Sequence, residues 1–452
     1  MSVLEKYNVS VPRYTSYPPA NYFREMDGAT FLDEVEASNR IGDRKISFYL
    51  HLPFCRRLCY YCGCNSYLME DGATVSQYIE ALHKEIDLVA VHLDKSRPIS
   101  QIHYGGGTPT AISVSLLEEL NEHILSLFSS IERPEISIEC HPGYLSRNDW
   151  ESMAKSRFNR FSIGVQDFDK KVLEGVGRES SALPMQEIME ILRSAHASVN
   201  MDFLYGLPRQ TPDSFLHSIA KAVELHPDRL VTFSYGHVPW VFKRQAILEK
   251  MGLPDAEQKQ QMYKNAVFLL EKAGYKGIGL DHFVLPSDEL YLALNNGQLH
   301  RNFQGYCTLR TTGQVYALGV TGISQLTSCY AQNTKNIKEY IEEVNRGNLP
   351  IRKGYRLNSD EKVVKEVIET LMCNYQIAWE SVADLLGISV PEIKSIVHYD
   401  DSALRSMAED GIIQYDDKEI EMTELGHPFV RNVAASLDPL MQKSTKQFSK
   451  SV

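Results

Sequence analysis

Four cysteines lie within ten residues of this chain, at Cys55, Cys59, Cys62 and Cys64. The first three have the spacing CxxxCxxC and directly follow a short apolar run. Thiolates this close in sequence can surround one iron–sulfur cluster, because the short gaps let the backbone curl around it. A [4Fe–4S] cluster held by three thiolates leaves one iron without a protein ligand, and that open iron is a place for chemistry. The spacing therefore predicts a reactive iron–sulfur site.

Structural zinc is the alternative interpretation of these cysteines. Zinc sites usually pair two CxxC-type knuckles that lie far apart in sequence. The other cysteines, Cys140, Cys307, Cys329 and Cys373, are scattered and form no second knuckle. The same scatter does not resemble a disulfide framework, so we expect a reducing compartment.

Composition indicates a globular protein of one main core with appended domains. The chain has 452 residues, of which 43% are hydrophobic and 23% charged. Its net charge of −11 argues against a nucleic acid partner, because phosphate binding requires a basic face. No apolar run approaches the roughly 20 residues that span a bilayer. We expect a cytoplasmic monomer with no membrane span.

Apolar, β-rich runs alternate with helical patterns, which predicts an α/β fold. The strands are predicted at 45–52, 99–106, 135–140, 160–165, 199–206 and 229–236, with helices near 79–93, 114–129, 181–195 and 213–225. Repeated strand–helix units imply a parallel sheet with right-handed crossovers. We predict a partial (β/α)6 barrel with the cysteine loop at the C-terminal ends of its strands. A flat, doubly wound sheet is the alternative.

Two further segments flank this core, which we assign to 44–350. Residues 1–43 are rich in proline and tyrosine and are predicted to form an arm over the barrel mouth, although a simple packing arm is an equal alternative. Residues 351–452 carry helical patterns at 359–373, 378–387 and 389–397, followed by a short hairpin within 410–426. This order predicts a mostly helical, winged-helix-like C-terminal domain.

Polar and glycine residues end several of the predicted strands. Gly105, Gly106 and Gly107 precede Thr108 after the second strand, where glycines let a ligand approach the backbone. A plain tight turn is the alternative. A charge at a buried sheet end must be paired or ligated, so Glu139 and Arg178 form either ligand contacts or a structural ion pair. The other candidates at strand ends are Gln166 and Asp202.

The cysteine pattern, with Tyr61 before the third cysteine, resembles that of the radical S-adenosylmethionine (SAM) enzymes. Over nearly its whole length the chain is similar to the oxygen-independent coproporphyrinogen III oxidases. The matching stretches are PRYTSYP (12–18), HLPFCRRLCYYCGCN (51–65), GGGTPT (105–110), GVQDF (164–168), YGLPRQTP (205–212), HRNFQGY (300–306) and CYAQN (329–333).

This resemblance implies a role for each matching residue. Cys55, Cys59 and Cys62 would ligate one [4Fe–4S] cluster, and Cys64 would be needed for activity without being a ligand. Two SAM molecules are expected near the cluster. The residues implied to contact SAM are Tyr49, Tyr61, Gly106, Gly107, Thr108, Glu139, Gln166, Arg178 and Asp202.

The implied reaction is the oxidative decarboxylation of two propionates of coproporphyrinogen III to vinyl groups, which gives protoporphyrinogen IX in heme (porphyrin) biosynthesis. A 5′-deoxyadenosyl radical from SAM would remove hydrogen from each propionate β-carbon. An electron donor for the cluster and an electron acceptor are required. Arg13, Arg301 and Arg310 are candidates for binding propionates. Tyr60, Phe303 and Tyr306 face either the macrocycle or an ordinary core.

Related activities stay open because the match has departures. His141 stands where the family commonly has an acid, and Cys307 stands where a hydroxyl residue is expected. A heme chaperone of similar fold usually lacks a cysteine at the Cys64 position and carries HNxxYW, where this chain has HRNFQGY. Radical SAM methyltransferases and heme-opening enzymes are further alternatives. An iron–sulfur regulatory protein is the alternative outside the enzymes.

Overall fold

The structure, a computed structural model, describes residues 3–69, 72–444, 446 and 448–449. Its strands are β1 (Arg24–Glu25), β2 (Ile46–Leu52), β3 (Phe54–Cys55), β4 (Tyr67–Leu68), β5 (Ile99–Gly106), β6 (Ser130–Cys140), β7 (Arg160–Gln166), β8 (Ser198–Tyr205), β9 (Arg229–Ser234), β10 (Lys276–Ile278), β11 (His282–Val284), β12 (Leu299–Asn302), β13 (Gly305–Thr308), β14 (Gln314–Leu318), β15 (Ile323–Gln325), β16 (Cys329–Asn333), β17 (Ile351–Arg356), β18 (Gln376–Ala378), β19 (Ile413–Tyr415) and β20 (Glu419–Met422).

The α-helices alternate with these strands through the first half of the chain. They are α1 (Val3–Tyr7), α2 (Gly28–Ser38), α3 (Gly72–Ala90), α4 (Val114–Leu127), α5 (Arg147–Lys155), α6 (Lys170–Gly175), α7 (Met185–Ser194), α8 (Pro212–Glu224), α9 (Ala246–Glu249), α10 (Ala256–Lys272), α11 (Glu289–Asn295), α12 (Ile337–Asn345), α13 (Ser359–Asn374), α14 (Trp379–Leu386), α15 (Val390–Ile396), α16 (Asp401–Glu409) and α17 (Val430–Ser436). None of the described helices combines the length and apolar character needed to cross a membrane.

One large sheet organises the molecule, with the strand order β1-β17-β16-β15-β14-β2-β5-β6-β7-β8-β9-β11-β10. The six predicted strands correspond to β2, β5, β6, β7, β8 and β9, which are neighbours in that order and all parallel. Strands β1 and β10 stand at its two edges, so the described sheet does not close on itself. The predicted partial barrel is confirmed. Strand β14 extends the parallel set by pairing with β2.

One face of the central strands packs in the apolar core, because apolar residues stand at alternate positions along them. Ile46, Phe48 and Leu50 of β2 are at most 1% exposed, as expected for a parallel sheet covered by helices. Helix α3 packs Ile79 and Leu82 into the same core. Each such side chain contributes about 1.5–3 kcal/mol when fully buried. This packing fixes the strand ends, and therefore the loops that follow them.

The C-terminal region has the predicted helices, here α13, α14 and α15, and the predicted hairpin, here β19 and β20. Strand β18 joins the hairpin in the sheet order β18-β20-β19. Helix α16 precedes the hairpin and was not in the predicted pattern. Three helices and a small antiparallel sheet are the elements of a winged-helix-like unit, and the mostly helical C-terminal region is confirmed.

The N-terminal arm packs on the C-terminal helices. Tyr7, Val11, Tyr14 and Tyr17 are buried in the same apolar cluster as α13 and α17. The hydroxyls of Tyr14 and Tyr17 donate hydrogen bonds of 2.9 and 3.1 Å to the buried Asp438 carboxylate. The arm then returns to the main sheet through β1, which pairs with β17. The segment boundaries at 43/44 and 350/351 stay predictions.

A buried carboxyl joins α3 to the extension of the sheet, and it predicts a pH-dependent stability. Glu85 accepts hydrogen bonds from Gly319 N at 2.7 Å, Asn333 Nδ2 at 2.7 Å and Tyr340 Oη at 2.6 Å. Burial raises the pKa of Glu85 from 4.5 to about 7. A raised folded-state pKa means that the folded protein binds the proton more tightly than the unfolded chain does.

We therefore expect a stability contribution that is complete below the unfolded pKa of 4.5 and lost as the pH rises through about 7. The loss is at most about 3 kcal/mol in the free energy of unfolding. Urea unfolding of wild type and Glu85→Gln between pH 4.5 and 8 measures it. The variant should lack this part of the pH slope, and an identical slope in both proteins would contradict the assignment.

Candidate active site

The cysteine loop leaves the sheet where β2 ends at Leu52. Strand β3 carries Cys55 and pairs with β4, which closes the loop at its base. Inside the loop Cys62 N donates to Cys59 O at 3.3 Å, and Tyr60 N donates to Val176 O at 3.0 Å. These contacts hold the loop at the C-terminal ends of the parallel strands.

Each of the first three cysteine sulfurs has a hydrogen-bonding neighbour. Cys55 Sγ lies 3.4 Å from Thr108 Oγ1. Arg178 Nη1 donates to Cys59 Sγ at 3.7 Å, and Cys64 N donates to Cys62 Sγ at 3.4 Å. Donors of this kind stabilise thiolates. Such an environment fits thiolate ligands better than buried neutral thiols.

The pKa values separate these cysteines further. The Cys64 side chain hydrogen-bonds to Cys62, and together with the charge of Arg244 it lowers the pKa of the Cys62 thiol to about 6. The same hydrogen bond raises the pKa of Cys64. Burial raises the pKa of Cys55 to about 11. Metal binding would offset that desolvation, since ligand thiols bind metals as thiolates.

The cysteines line one cavity of about 180 Å³ together with nearly all the predicted site residues. Arg57, Leu58, Ser66, Cys140, His141, Ser162 and Gly164 complete its wall beyond the predicted set. The predicted residues in its wall are Cys55, Cys59, Tyr61, Cys62, Cys64, Gly106, Gly107, Thr108, Glu139, Gln166, Arg178 and Asp202.

The donor set of this wall fits an iron–sulfur cluster. Fe–S clusters are held by cysteine thiolates, and all eight cysteines of the chain are free. Among the described residues, no group of three or more His, Cys, Asp or Glu side chains converges to hold a single metal ion. Cys55, Cys59 and Cys62, the cluster ligands predicted from the sequence, lie together in this wall.

Glu139 and Arg178 make separate contacts, although an ion pair between them was an open interpretation. One carboxylate oxygen of Glu139 accepts from Gly106 N at 3.3 Å, and the other lies 3.3 Å from His103 Nε2. Arg178 donates to the carbonyl of Gly164 as well as to Cys59. The two charges face the same cavity from different walls, so both are available to a ligand.

The glycine run lies directly against the base of the cysteine loop. Gly107 N donates to Leu52 O at 2.8 Å, and Thr108 N donates to Phe54 O at 3.0 Å. A Cβ atom on Gly107 would lie 2.5 Å from Pro53 O. Gly106 has φ +120°, a conformation that favours glycine. The two loops are therefore held as one unit.

The remaining polar wall comes from β7 and β8. Asp202 accepts from Ser162 Oγ and Asn200 Nδ2, both at 2.8 Å. Burial raises the pKa of Asp202. Gln166 ends β7 with φ +68°, in the left-handed region. Sequence reasoning missed Ser162. It lies on the same predicted strand as Gly164 and two residues before it, so both face the same side of the sheet, and this position could have identified it.

A second cavity of about 920 Å³ adjoins the first and shares Cys64, Ser66 and Glu139 with it. Tyr49 lies here rather than in the first cavity. Its hydroxyl is 3.1 Å from His51 Nδ1, and its ring stacks on His103 at 5.8 Å between centroids.

Comparisons with known proteins match both the site and the whole chain. Residues 49–222 match the radical SAM superfamily. The oxygen-independent coproporphyrinogen III oxidase of Synechocystis sp. is 36% identical over 100% of this chain and 97% of its own length. The enzyme of that name from Pseudomonas aeruginosa is 37% identical over 98% and 96%.

A solved structure agrees with these relatives. The coproporphyrinogen III oxidase of Escherichia coli, described as a radical SAM enzyme, matches with a TM-score of 0.87 and 36% identity, covering 94% of this chain and 97% of that chain. This chain belongs to the oxygen-independent coproporphyrinogen III oxidase family. It is therefore a radical SAM oxidoreductase by family, and membership implies SAM and a [4Fe–4S] cluster.

The arginines predicted for propionates of this family's substrate lie in different places. Arg310 binds Glu289 at 2.7 Å and the Arg133 carbonyl at 2.9 Å. Arg133 lies near the start of β6, so Arg310 sits at the opposite end of the sheet from the cysteines, and its prediction as a propionate-binding residue is wrong. Arg301 donates to the Arg13 carbonyl at 3.1 Å, which commits it to the N-terminal arm. Arg13 itself is exposed.

The aromatic candidates divide in the same way. Phe303 lines the second cavity. Tyr306 is 7% exposed and its hydroxyl donates to Met372 O at 3.3 Å, so it is a core residue. Tyr60 packs partly buried in an apolar cluster beside the cysteine loop.

The two departures from the family pattern also have different surroundings. His141 lines the cysteine cavity, where its ring stacks on Tyr144 at 4.0 Å and burial lowers its pKa to about 2. Its neutral ring therefore adds no charge to the cavity. Cys307 is buried on β13, with its Sγ 3.7 Å from His300 O.

Proposed function

We propose that this protein converts two propionates of coproporphyrinogen III to vinyl groups without oxygen, giving protoporphyrinogen IX. The observation that carries the proposal is the set of three cysteine sulfurs, each with its own hydrogen-bonding neighbour, in one wall of a cavity that Glu139 and Arg178 also line. Cys55, Cys59 and Cys62 would hold a cluster there and would leave one of its irons free for SAM. When bound, the reduced cluster supplies the electron that splits SAM into methionine and a 5′-deoxyadenosyl radical.

Each propionate loses a hydrogen atom, carbon dioxide and an electron in this reaction. Each propionate gives up one hydrogen atom from its β-carbon, then carbon dioxide and one electron, and the remaining two carbons form the vinyl group. The hydrogen atom is taken up by the radical, and the electron goes to an acceptor. A donor reduces the cluster. Two propionates require two SAM cleavages for each porphyrinogen.

The chain's own residues bind and orient SAM in this proposal. The backbone at Gly106, Gly107 and Thr108 is open to the amino group of SAM. Arg178 binds the carboxylate of SAM, and Glu139 binds its ribose hydroxyls. Hydrogen bonds with a charged partner are stronger than neutral ones. Tyr49, Tyr61, Gln166 and Asp202 complete these contacts. We include a second SAM in the proposal because the family resemblance implies it.

Substitution of either charged residue is expected to weaken SAM binding. Glu139→Ala or Arg178→Ala should each cost about 1–3 kcal/mol of SAM binding free energy, the usual range for one partner of a charged hydrogen bond. Anaerobic titration of the reconstituted protein with SAM measures this. Glu132→Ala, an exposed change on the same strand as Glu139, is the matched control. Unchanged affinity together with a large fall in melting temperature would assign the two residues a structural role.

Turnover tests the reaction itself. Anaerobically reconstituted protein should release carbon dioxide and form vinyl products from coproporphyrinogen III when SAM, a reductant and an electron acceptor are present. Cleavage of SAM with no release of carbon dioxide would contradict the proposal. Heme opening or methyl transfer would then be the leading activity.

A further inference from the structure

The second cavity carries positive charge next to Cys64. Lys243 and Lys335 line it, and within the described residues neither ammonium group has an ion pair or a hydrogen-bond partner. On a chain of net charge −11, two unpaired cations in one cavity form a local site for anions. The volume of about 920 Å³ is within the usual range for ligand pockets.

Both lysines are held in place by the cysteine loop. Arg244, next to Lys243, donates from Nε to Cys62 O at 3.1 Å and from Nη2 to Cys64 O at 3.4 Å. The Lys335 carbonyl accepts from Asn65 Nδ2 at 3.3 Å and also from the hydroxyl of Tyr67. The two ammonium groups therefore start from backbone positions that are fixed relative to the predicted cluster ligands.

Four apolar side chains form one part of the wall of the same cavity. Phe242 lies close to Gly63, and Phe303 meets Tyr330 edge to face at 6.0 Å. Val241 and Ile323 add aliphatic surface. The rest of the wall is polar and includes Asn65, Gln304 and Gln332. A ligand that fits both parts of this wall has an apolar body and carries peripheral anionic groups. A macrocycle with propionate side chains has that chemistry.

We infer that Lys243 and Lys335 bind the carboxylates of those propionates that are not reacting. This inference rests on the proposed function. The reacting propionate then points at the wall formed by Cys64, Ser66 and Glu139, which the two cavities share. Lysine suits this task because it binds carboxylates as a point charge and does not need one fixed geometry.

The test measures binding without turnover. The probe is coproporphyrin III, the stable oxidised form of the substrate, which is titrated into reconstituted protein and followed by its fluorescence. Lys243→Met and Lys335→Met should each raise its Kd about tenfold, a modest effect for a hydrogen bond to a charged group. Lys272→Met, an exposed change at the end of α10, is the matched control. Arginine at either position should restore most of the affinity.

Two further arms isolate the carboxylates. The tetramethyl ester of coproporphyrin III has no anionic groups, so its Kd should stay within about twofold in both methionine variants. The wild-type Kd for the acid should rise with ionic strength, because salt screens exposed charges. If the ester and the acid respond equally to the substitutions, the ammonium groups do not bind carboxylates and the inference fails.

The remaining outcomes separate this inference from the proposed function. If the methionine variants lose affinity for SAM and keep their affinity for coproporphyrin III, the second cavity is a SAM site and the inference is overturned. If the variants lose affinity for coproporphyrin III while wild type releases no carbon dioxide, the assignment of the two lysines is supported and the proposed reaction fails. If wild type turns over and both variants bind coproporphyrin III as tightly as wild type does, only the pocket assignment fails.

Discussion

Cys55→Ala, Cys59→Ala and Cys62→Ala should each abolish the iron–sulfur cluster and all turnover, whereas Cys64→Ala should keep the cluster. The first three sulfurs each have a hydrogen-bonding neighbour in the cavity wall, while Cys64 is an exposed residue that acts on Cys62. In the proposed site, each of these substitutions would remove one of the three thiolates that hold the cluster. Iron and sulfide content and the brown absorbance after anaerobic reconstitution measure the effect.

Cys140→Ala is the matched control for this series. Cys140 lines the same cavity and is buried, but its thiol lies 3.7 Å from Ile138 O on its own strand. This variant should keep its iron. If all four loop substitutions lose the cluster equally, the division into three ligands and one further cysteine is wrong.

Gly107→Ala should disrupt SAM binding through the backbone. A Cβ at this position would lie 2.5 Å from Pro53 O and 2.6 Å from the Pro53 carbonyl carbon. Because the clash is with backbone, the glycine run and the cysteine loop must move apart. Overpacking of this kind costs about 1–3 kcal/mol, which corresponds to a loss of up to roughly 100-fold in SAM affinity. A titration of reconstituted protein with SAM measures it.

The matched control for that substitution is Gly277→Ala. An added Cβ at Gly277 would meet no atom within 4 Å, so its SAM affinity should equal that of wild type. Iron content separates the two possible origins of the defect in Gly107→Ala. Wild-type SAM affinity in Gly107→Ala would show that the glycine run does not form the SAM site.

Much of the fold was predictable because its signals are local. The strand predicted at 45–52 is observed at Ile46–Leu52 and that at 160–165 at Arg160–Gln166, since the alternate apolar residues of both strands form a local pattern and pack in the core. Strand β14 was not predicted. It is five residues long, and it pairs with β2 at more than 260 residues' separation. Such pairing leaves no local pattern.

Some residues of the site were also predictable from local patterns, and others were not. Residues that end parallel strands must share one edge of the sheet, so Glu139, Gln166 and Asp202 were predictable as neighbours of the cysteines. Lys243 begins a short 3-10 helix and Lys335 lies in an irregular segment, both far along the chain, where a lysine is usually a solvated surface residue. Arg310 was misplaced for the converse reason. Its loop lies at the N-terminal ends of the parallel strands. Only the tertiary structure determines which end of the sheet this loop approaches.

The most direct test of the radical decarboxylation uses coproporphyrinogen III labelled with deuterium at its propionate β-carbons. Under reducing, oxygen-free conditions with SAM and an electron acceptor, one deuterium should appear in 5′-deoxyadenosine for each carbon dioxide released. Two of each should form for every protoporphyrinogen IX. Unlabelled 5′-deoxyadenosine produced without carbon dioxide would contradict the proposed reaction.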